Sequence, residues 1–377
     1  MGRTNQKLAA PDFPLFLLAI VLVCVGLIMV YSASAIMAED KFGNSMHFVL
    51  RQVAWLAVGI PVMWAVSRMD LEKYRAYAVP ALFAGIFLMA LVLVPGLGTR
   101  VGVAKRWFRL GPFSFQPSEA FKLVMVFFLA DSLVRRCERI QTFRGIMPYM
   151  VVLAICMGIL QLQHDLGSII TLIALTMGLL YLAGVRKGFF ALPAVALVAA
   201  VAYLVMSSSY RVRRWNSFLH PWEDPQGAGF QLIQSLIAVG SGGPLGVGLS
   251  NSTQKLFYLP APHTDFIYAI IGEELGLWGT MGILILFVLF AVRGFQVASE
   301  AARRPDGRFD ALLAAGLTVL IVFQAFFNMG VVTGLLPTKG LPLPLVSYGG
   351  TSLVFSLAAV GLLLNVSRRS RLNGMKG

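Results

Sequence analysis

The sequence predicts an all-α polytopic membrane protein of about ten transmembrane helices, with a long extracytoplasmic loop between helices 7 and 8. Hydrophobic residues fill 58% of its 377 positions and charged residues only 13%, about half the charged share of a soluble domain. Apolar runs near the ~20 residues that cross a bilayer recur along the whole chain. Between the seventh and eighth runs stands a polar segment of more than fifty residues, 208–264. A connection that long is usually functional or carries structure of its own.

The runs are read at 14–36, 48–67, 78–97, 117–134, 146–163, 167–184, 188–207, 266–292, 310–332 and 346–366. The first is too long for a signal-peptide core and lacks a cleavage site, so it is read as retained. The second and third are parted by Arg68, Lys73 and Arg75, the fourth and fifth by Arg135, Arg136, Arg139 and Arg144, and the sixth and seventh by Arg186 and Lys187. The fourth has a helix-start signal, Pro117 after a polar turn with Glu119 in the first turn. In the loop, Gly229–Val239 places Phe230, Leu232, Ile233, Leu236 and Ile237 at helical spacing, which predicts a short amphipathic helix on the membrane surface. Gly240–Gly248, GSGGPLGVG, resembles a phosphate cradle, but it has neither a GxxxxGK[ST] signature nor a preceding strand, so a flexible turn is the simpler reading. Asn328–Ser352, between the last two runs, is dense in Gly and Pro. Irregular backbone at membrane depth is tolerated where it is buried in protein or lines a watery cavity. No soluble second domain is visible, and 1–377 reads as one unit.

Basic residues orient the chain, because short cytoplasmic loops collect Lys and Arg. With both termini inside, nineteen of the 31 lysines and arginines fall on the cytoplasmic side. The other twelve fall outside or at the outer ends of helices, and nine of them cluster: Arg100, Lys105, Arg106, Arg109 and Lys122 around the connection of the third and fourth helices, and Arg211, Arg213, Arg214 and Lys255 in the long loop. The net charge of +14 is accounted for mostly by anchoring to anionic membrane lipid, and nucleic acid is not implied. Cys24 and Cys156 lie in apolar helices and Cys137 in a cytoplasmic loop, so no disulfide is indicated. The four histidines, His47, His164, His220 and His263, are scattered singly and form no metal spacing.

The chemistry-bearing residues gather on the outer side. Asp265 stands where the long loop becomes the eighth helix, facing both water and lipid. It serves either as a helix cap or as a general base, a role worth roughly 10²–10⁴-fold, and the two can coexist. Glu273 lies about 12 Å further along the helix axis, so it and Asp265 are not a paired-carboxylate site; Glu273 and Glu274 read as buried acids that need partners. Glu119 and Lys122 are three apart and can meet on one helical face, as an ion pair or as part of a site. Lys105, Arg106, Trp107 and Arg109 just upstream suit a diphosphate joined to a sugar: one cation 4 Å from an anionic oxygen gives ~4 kcal/mol at an effective dielectric of 20, before desolvation. Asp165, at the junction of the fifth and sixth helices, needs a partner such as Lys122 or an arginine. His164 beside it reads as a helix-end hydrogen-bonding residue. His263 either positions Asp265 or the substrate, or anchors the loop. Lys339 adds a cation to the last outer loop.

These segments together resemble the SEDS family (shape, elongation, division and sporulation) of bacterial membrane enzymes. The likeness covers nearly the whole chain and is carried by KRWFRLGPFSFQPSEAFKL at Lys105–Leu123, QHDLG at Gln163–Gly167, HTDFIYAIIGEELG at His263–Gly276 and GLLPTKGLPLPLVSYGGTS at Gly334–Ser352. PTKG at Pro337–Gly340 and QKLFYLP at Gln254–Pro260 are more like its division branch than its elongation branch. The resemblance implies a ten-helix glycosyltransferase that polymerises lipid II at the outer face of the cytoplasmic membrane for septal wall synthesis, releasing undecaprenyl diphosphate. It makes Asp265 the essential acid, with Lys105, Arg106, Trp107, Arg109, Glu119, Lys122, Asp165, His263 and Lys339 binding substrate. It also implies a class B penicillin-binding protein and other division proteins as partners. No cofactor is certain; the resemblance leaves room for a divalent cation, and no residue pattern marks a site for one. The family usually carries Glu after the LP before HTDF, where this chain reads Leu259, Pro260, Ala261, Pro262. A lipid II transporter and a non-catalytic division scaffold are the rival readings. A transporter places its site near the midplane, and a scaffold leaves the clustered outer cations and facing acid unexplained.

Overall fold

A computed structural model describes residues 10–101, 104–111, 113–190, 206, 209–227, 229–256, 259–260 and 262–374. The chain is mainly helical, and its apolar runs become helices close to the expected bounds. α1 (Phe13–Phe42) starts at Asp12, whose carboxylate accepts from the Leu15 amide, and stops at Gly43 in the left-handed conformation, φ 64°. α2 (His47–Val66), α3 (Leu71–Arg75) and α4 (Ala78–Leu91) follow. α5 (Pro117–Arg135) begins at Pro117 with Glu119 in its first turn, the predicted start. Thr142 caps α6 (Phe143–Leu162) through the Gly145 amide, and Asp165 caps α7 (Leu166–Leu182) through the Ser168 amide. In the long loop lie α8 (Ser209–Leu219) and α9 (Phe230–Ser241). α10 (Ile267–Ala302), α11 (Arg308–Val332) and α12 (Gly350–Gly374) complete the order.

Among the described residues six helices are long and apolar enough to cross a membrane: α1, α2, α6, α10, α11 and the Gly350–Arg371 part of α12. Three more expected spans coincide with α4 and α7, which are apolar but shorter, and with α5, whose 19 residues include Glu119, Lys122, Asp131 and Arg135. The span expected at 188–207 falls almost wholly outside the described residues. Burial separates the inner helices from the outer ones: 83% of the apolar window of α11 and 78% of that of α12 are buried, against 22% for α2. α11 therefore forms the centre, with α10 along it and α5 and α7 against its other sides, while α12 lies along α2.

Three features were not predicted by helical periodicity. A three-stranded antiparallel sheet, β1 (Gly98–Val101), β2 (Ala104–Leu110) and β3 (Phe113–Phe115), fills the connection before α5, with Thr99 opposite Trp107 and Phe108 opposite Phe115. α10 is broken at Gly276 (φ 63°, ψ −156°), where a Cβ would lie 2.4 Å from the Gly246 nitrogen. The Gly-rich segment packs into that break. Val247 and Gly248 amides donate to the Glu273 and Glu274 carbonyls at 2.9 and 3.0 Å, and the Leu277 amide donates to the Gly243 carbonyl at 2.9 Å. Those donors are satisfied by helix carbonyls, so the segment is a backbone clamp rather than a phosphate cradle. α9 buries Leu232, Ile233, Ser235 and Ala238 against α10 and α11, and the Ser235 hydroxyl donates to the Val332 carbonyl at 2.8 Å.

Candidate active site

The segment His263–Thr264–Asp265 is held through its backbone. The Tyr348 amide donates to the His263 carbonyl at 2.9 Å, the Ser347 hydroxyl to the Thr264 carbonyl at 2.6 Å, and the Asn328 amide to the Asp265 carbonyl at 2.7 Å. Asn328 also donates to the Leu341 carbonyl at 2.7 Å, so one buried side chain of α11 ties the acid to the Pro-rich loop. That loop is itself fixed by Gln52 of α2, which donates to the Ser347 carbonyl at 3.2 Å. It dips far enough into the bundle that a Cβ on Gly26 of α1 would stand 2.7 Å from the Val346 Cα. The Gly- and Pro-dense loop between the last two runs, irregular backbone buried in protein, is therefore also the support of the acid.

While its backbone is pinned, the Asp265 side chain is left open. It is partly buried, and among the described residues its carboxylate has no hydrogen-bond or ion-pair partner. Every fully buried acid among them has one, as sequence reading expected of Asp165, Glu273 and Glu274. Glu119 takes Lys122 at 2.8 Å. Asp165 takes Ser168, Gln116 and Ser118 hydrogen bonds at 2.8 to 3.2 Å, with the Arg106 guanidinium at 3.6 Å. Glu274 takes Lys255 at 2.9 Å and the Ser32 hydroxyl of α1, and Glu273 takes Ser252 and the Thr253 amide. Burial raises the Asp265 carboxyl to about 6, against the opposing pull of Arg106. Burial, with Lys41 adding to it, pushes His263 down to about 4, so its imidazole is neutral at pH 7.

The strand β2 divides the cation cluster that the sequence placed together. Side chains alternate along a strand, so Lys105, Trp107 and Arg109 share one face and Arg106 takes the other. Lys105 donates to the Leu93 and Val94 carbonyls at the end of α4 at 2.9 and 2.8 Å. Arg109 is exposed. Arg106 alone of the four is turned to the acids, braced by Asp165 and by the His164 carbonyl and within electrostatic reach of Asp265. His164, at φ 60°, thus serves through its carbonyl. Glu119 and Lys122 form a buried pair in α5. Gly340 brings the Lys339 segment against the acid: a Cβ there would lie 2.6 Å from Asp265 Oδ2. The side chains of Arg211, Arg213 and Arg214 lie outside the described residues, as does Ala261 of the Ala261–Pro262 departure.

Sequence reading missed Asn328, Ser347 and Gln52 as supports of the acid. The available signal was an amide within the apolar runs of α2 and α11, where a polar side chain is costly unless it has partners. Among the described residues no group of three His, Cys, Asp or Glu side chains could hold a metal ion.

A family model described as cell cycle protein, covering FtsW, RodA and SpoVE, matches residues 13–372. A curated relative from Geobacter sulfurreducens, named probable peptidoglycan glycosyltransferase FtsW, is 44% identical over 370 residues, 98% of either chain. Stage V sporulation protein E of Bacillus subtilis is 42% identical over 97% of this chain and 100% of its own. Among solved structures, a chain of a peptidoglycan synthase complex that coordinates polymerization and crosslinking superimposes with a TM-score of 0.79 at 31% identity, over 96% of this chain and 98% of that one. The rod shape determining protein RodA of Thermus thermophilus gives 0.69 at 27%, over 95% and 97%.

Proposed function

This chain belongs to the FtsW, RodA and SpoVE family of cell cycle proteins, and from that membership and the geometry at Asp265 we propose that it is a peptidoglycan glycosyltransferase of division that polymerises lipid II. It is an integral membrane protein of the cell division machinery. The observation that carries the mechanism is the open carboxylate of Asp265, on a backbone fixed at three successive carbonyls, with a braced arginine in reach. An acid near 6 is largely ionised at neutral pH yet still basic enough to take a proton in the transition state.

In the proposed transfer, Asp265 accepts the proton of the acceptor GlcNAc 4-hydroxyl as that oxygen attacks C1 of the donor sugar. The new C1–O bond forms as the bond from C1 to the undecaprenyl diphosphate oxygen breaks, with inversion at C1. Arg106 meets the negative charge that grows on the leaving diphosphate. Asp165 and the His164 carbonyl hold its guanidinium in place, so little ordering remains at the moment of reaction. Trp107 and Arg109 on the outer face of the sheet, with Lys339 beside Gly340, extend the binding surface for lipid II, and the Glu119–Lys122 pair is the buried footing of α5 beneath it. The site lies at the outer face of the inner membrane, both termini are cytoplasmic, and the division partner is a class B penicillin-binding protein acting with other divisome proteins.

The test is strand synthesis from lipid II by the purified chain, with and without its cognate transpeptidase. Wild-type protein yields glycan polymer and Asp265→Ala yields none; polymer from the variant at the wild-type rate would remove the base role. Inclusion of a chelator in the same assay reads out any need for a divalent cation.

A further inference from the structure

A row of aromatic rings that the proposed transfer does not use leads away from the acid through His263. α1 has 30 residues, about 45 Å at helical rise against ~30 Å of hydrocarbon, so its last turns, with Glu39, Asp40 and Lys41 exposed, stand in water. Phe42 ends that helix directly after these three charged residues, with 51% of its surface bare. Its ring lies flat on the His47 imidazole, 3.9 Å between centroids and 7° from parallel. Phe48 meets both edge-on at 5.8 and 5.4 Å and continues to His263 at 4.5 Å and Tyr348 at 5.2 Å. The row is unbroken from the exposed Phe42 to the residue two before Asp265.

Two ring nitrogens in that row, His47 Nε2 and His263 Nδ1, are buried and have no hydrogen-bond partner. His263 is only 7% exposed. A buried polar atom left unpaired is costly, and a neutral imidazole offers one donor and one acceptor, so a polar ligand reaching these atoms would remove the penalty. A sugar ring has that chemistry. Its axial C–H bonds present slightly positive hydrogens to the negative face of an aromatic ring, and its hydroxyls both donate and accept.

We propose that Phe42, His47, Phe48 and His263, flanked by Lys41, form a second saccharide subsite, on elements other than the sheet that carries Arg106. It rests on the glycosyl-transfer reading, because an enzyme that joins two saccharides must hold both at once, and the row would carry the one that the Arg106 side does not.

The experiment titrates the full chain in lipid nanodiscs with chitotetraose, followed by saturation transfer to the sugar protons and by calorimetry. The wild type binds, Phe42→Ala weakens the dissociation constant about tenfold, and Phe42→Trp keeps it. Phe42 is exposed, and an unchanged melting temperature of Phe42→Ala shows that the fold persists. No binding by the wild type, or equal binding by Phe42→Ala, overturns the subsite, the second outcome leaving Phe42 to contact a protein partner instead. Lipid II polymerisation by the wild type is run beside it. Polymer formation together with binding indifferent to Phe42 removes the subsite and keeps the transferase. Phe42-dependent binding without polymer does the reverse.

Discussion

The two ends of the helical bundle treat their acids differently. At the end where α1 begins and α10 finishes, each buried carboxylate is ion-paired with two arginines: Asp12 with Arg293 of α10 and Arg371 of α12, Asp131 with Arg75 and Arg135, and Asp310 with Arg304 and Arg369. Arg293 and Arg371 on Asp12, Arg75 on Asp131 and Arg369 on Asp310 link helix ends that are far apart in sequence. At the other end Glu119, Asp165, Glu273 and Glu274 are paired too, but the backbone at Asp265 is over-determined instead, and among the described residues its carboxylate has no hydrogen-bond or ion-pair partner. Pairing at the first end fixes helices to one another; fixing the main chain at the second leaves a carboxylate free to act. Arginine supply follows the same division, since among the described residues Arg106 is the arginine that reaches toward Asp265, and it is already braced by Asp165.

The largest expected effect sets the two acids against each other. Asp265→Asn lowers polymerisation from lipid II by at least roughly 10²-fold, while its melting temperature rises, because burial opposes the charge that the substitution removes. Asp12→Asn does the opposite: the folded fraction keeps its turnover and stability falls by about 2–3 kcal/mol, read from thermal unfolding in detergent. A loss of turnover in Asp12→Asn at full stability would break the division between the ends.

Next comes the support rather than the acid. Asn328→Ala frees the Asp265 carbonyl from α11, and displacing a reacting group by about an ångström costs on the order of 10²-fold. The loss is expected in kcat with KM little changed, because the substituted side chain does not touch substrate. A purely structural Asn328 would instead show lowered stability and unchanged turnover per folded molecule.

The ends also differ in their response to pH. Asp265 has a folded value near 6, above its ordinary 3.8, so the active, ionised form is lost as pH falls through 6 and kcat/KM drops about tenfold per unit below it. Asp12 is shifted the other way: burial pushes it up, but the Arg293 hydrogen bonds, the Leu15 amide and the arginine charges outweigh that and lower it. A depressed carboxyl contributes stability above its unfolded value and loses it only as pH falls through its folded value. Between pH 5 and 6 the chemistry therefore fades while the Asp12 clamp holds. A profile whose acid limb lies near 4 would assign that limb to another group.

Much of this arrangement was legible in the sequence, for identifiable reasons. Apolar runs report helices at membrane depth because a lipid-facing backbone must satisfy itself, so α1, α2, α6, α10 and α11 fall within a few residues of expectation at their starts. Pro117 and Glu119 marked the start of α5. Asp265 was legible because an acid at a loop-to-helix junction stands out in a chain with so few charges. The sheet was not, because the charges and bulky aromatics of KRWFRL mask its period of two; that alternation is what turns Lys105 to the end of α4 and Arg106 to the acids. The break at Gly276 and the clamp of Gly243–Gly248 into it were also hidden, because both depend on a backbone-to-backbone approach that no local pattern reports. The partner of Glu274 came from Lys255, nineteen residues before it in the loop, with Ser32 of α1 beside it.

The smallest expected effect tests whether the open carboxylate needs its space. Gly340 lies in a segment without regular structure, and its backbone imposes no left-handed conformation, so Gly340→Ala carries no intrinsic strain of its own. Its added Cβ would stand 2.6 Å from Asp265 Oδ2, and the atom able to yield is the carboxylate, at the end of a short side chain, rather than the pinned main chain. Rotation of that carboxylate away from its position costs turnover by about threefold to tenfold, equivalent to about 0.7–1.4 kcal/mol, with thermal stability unchanged. The same substitution made in Asp265→Asn should add nothing further to the loss, since the group it displaces no longer takes a proton. An additive loss in the double variant would place the effect of Gly340 on substrate rather than on the acid.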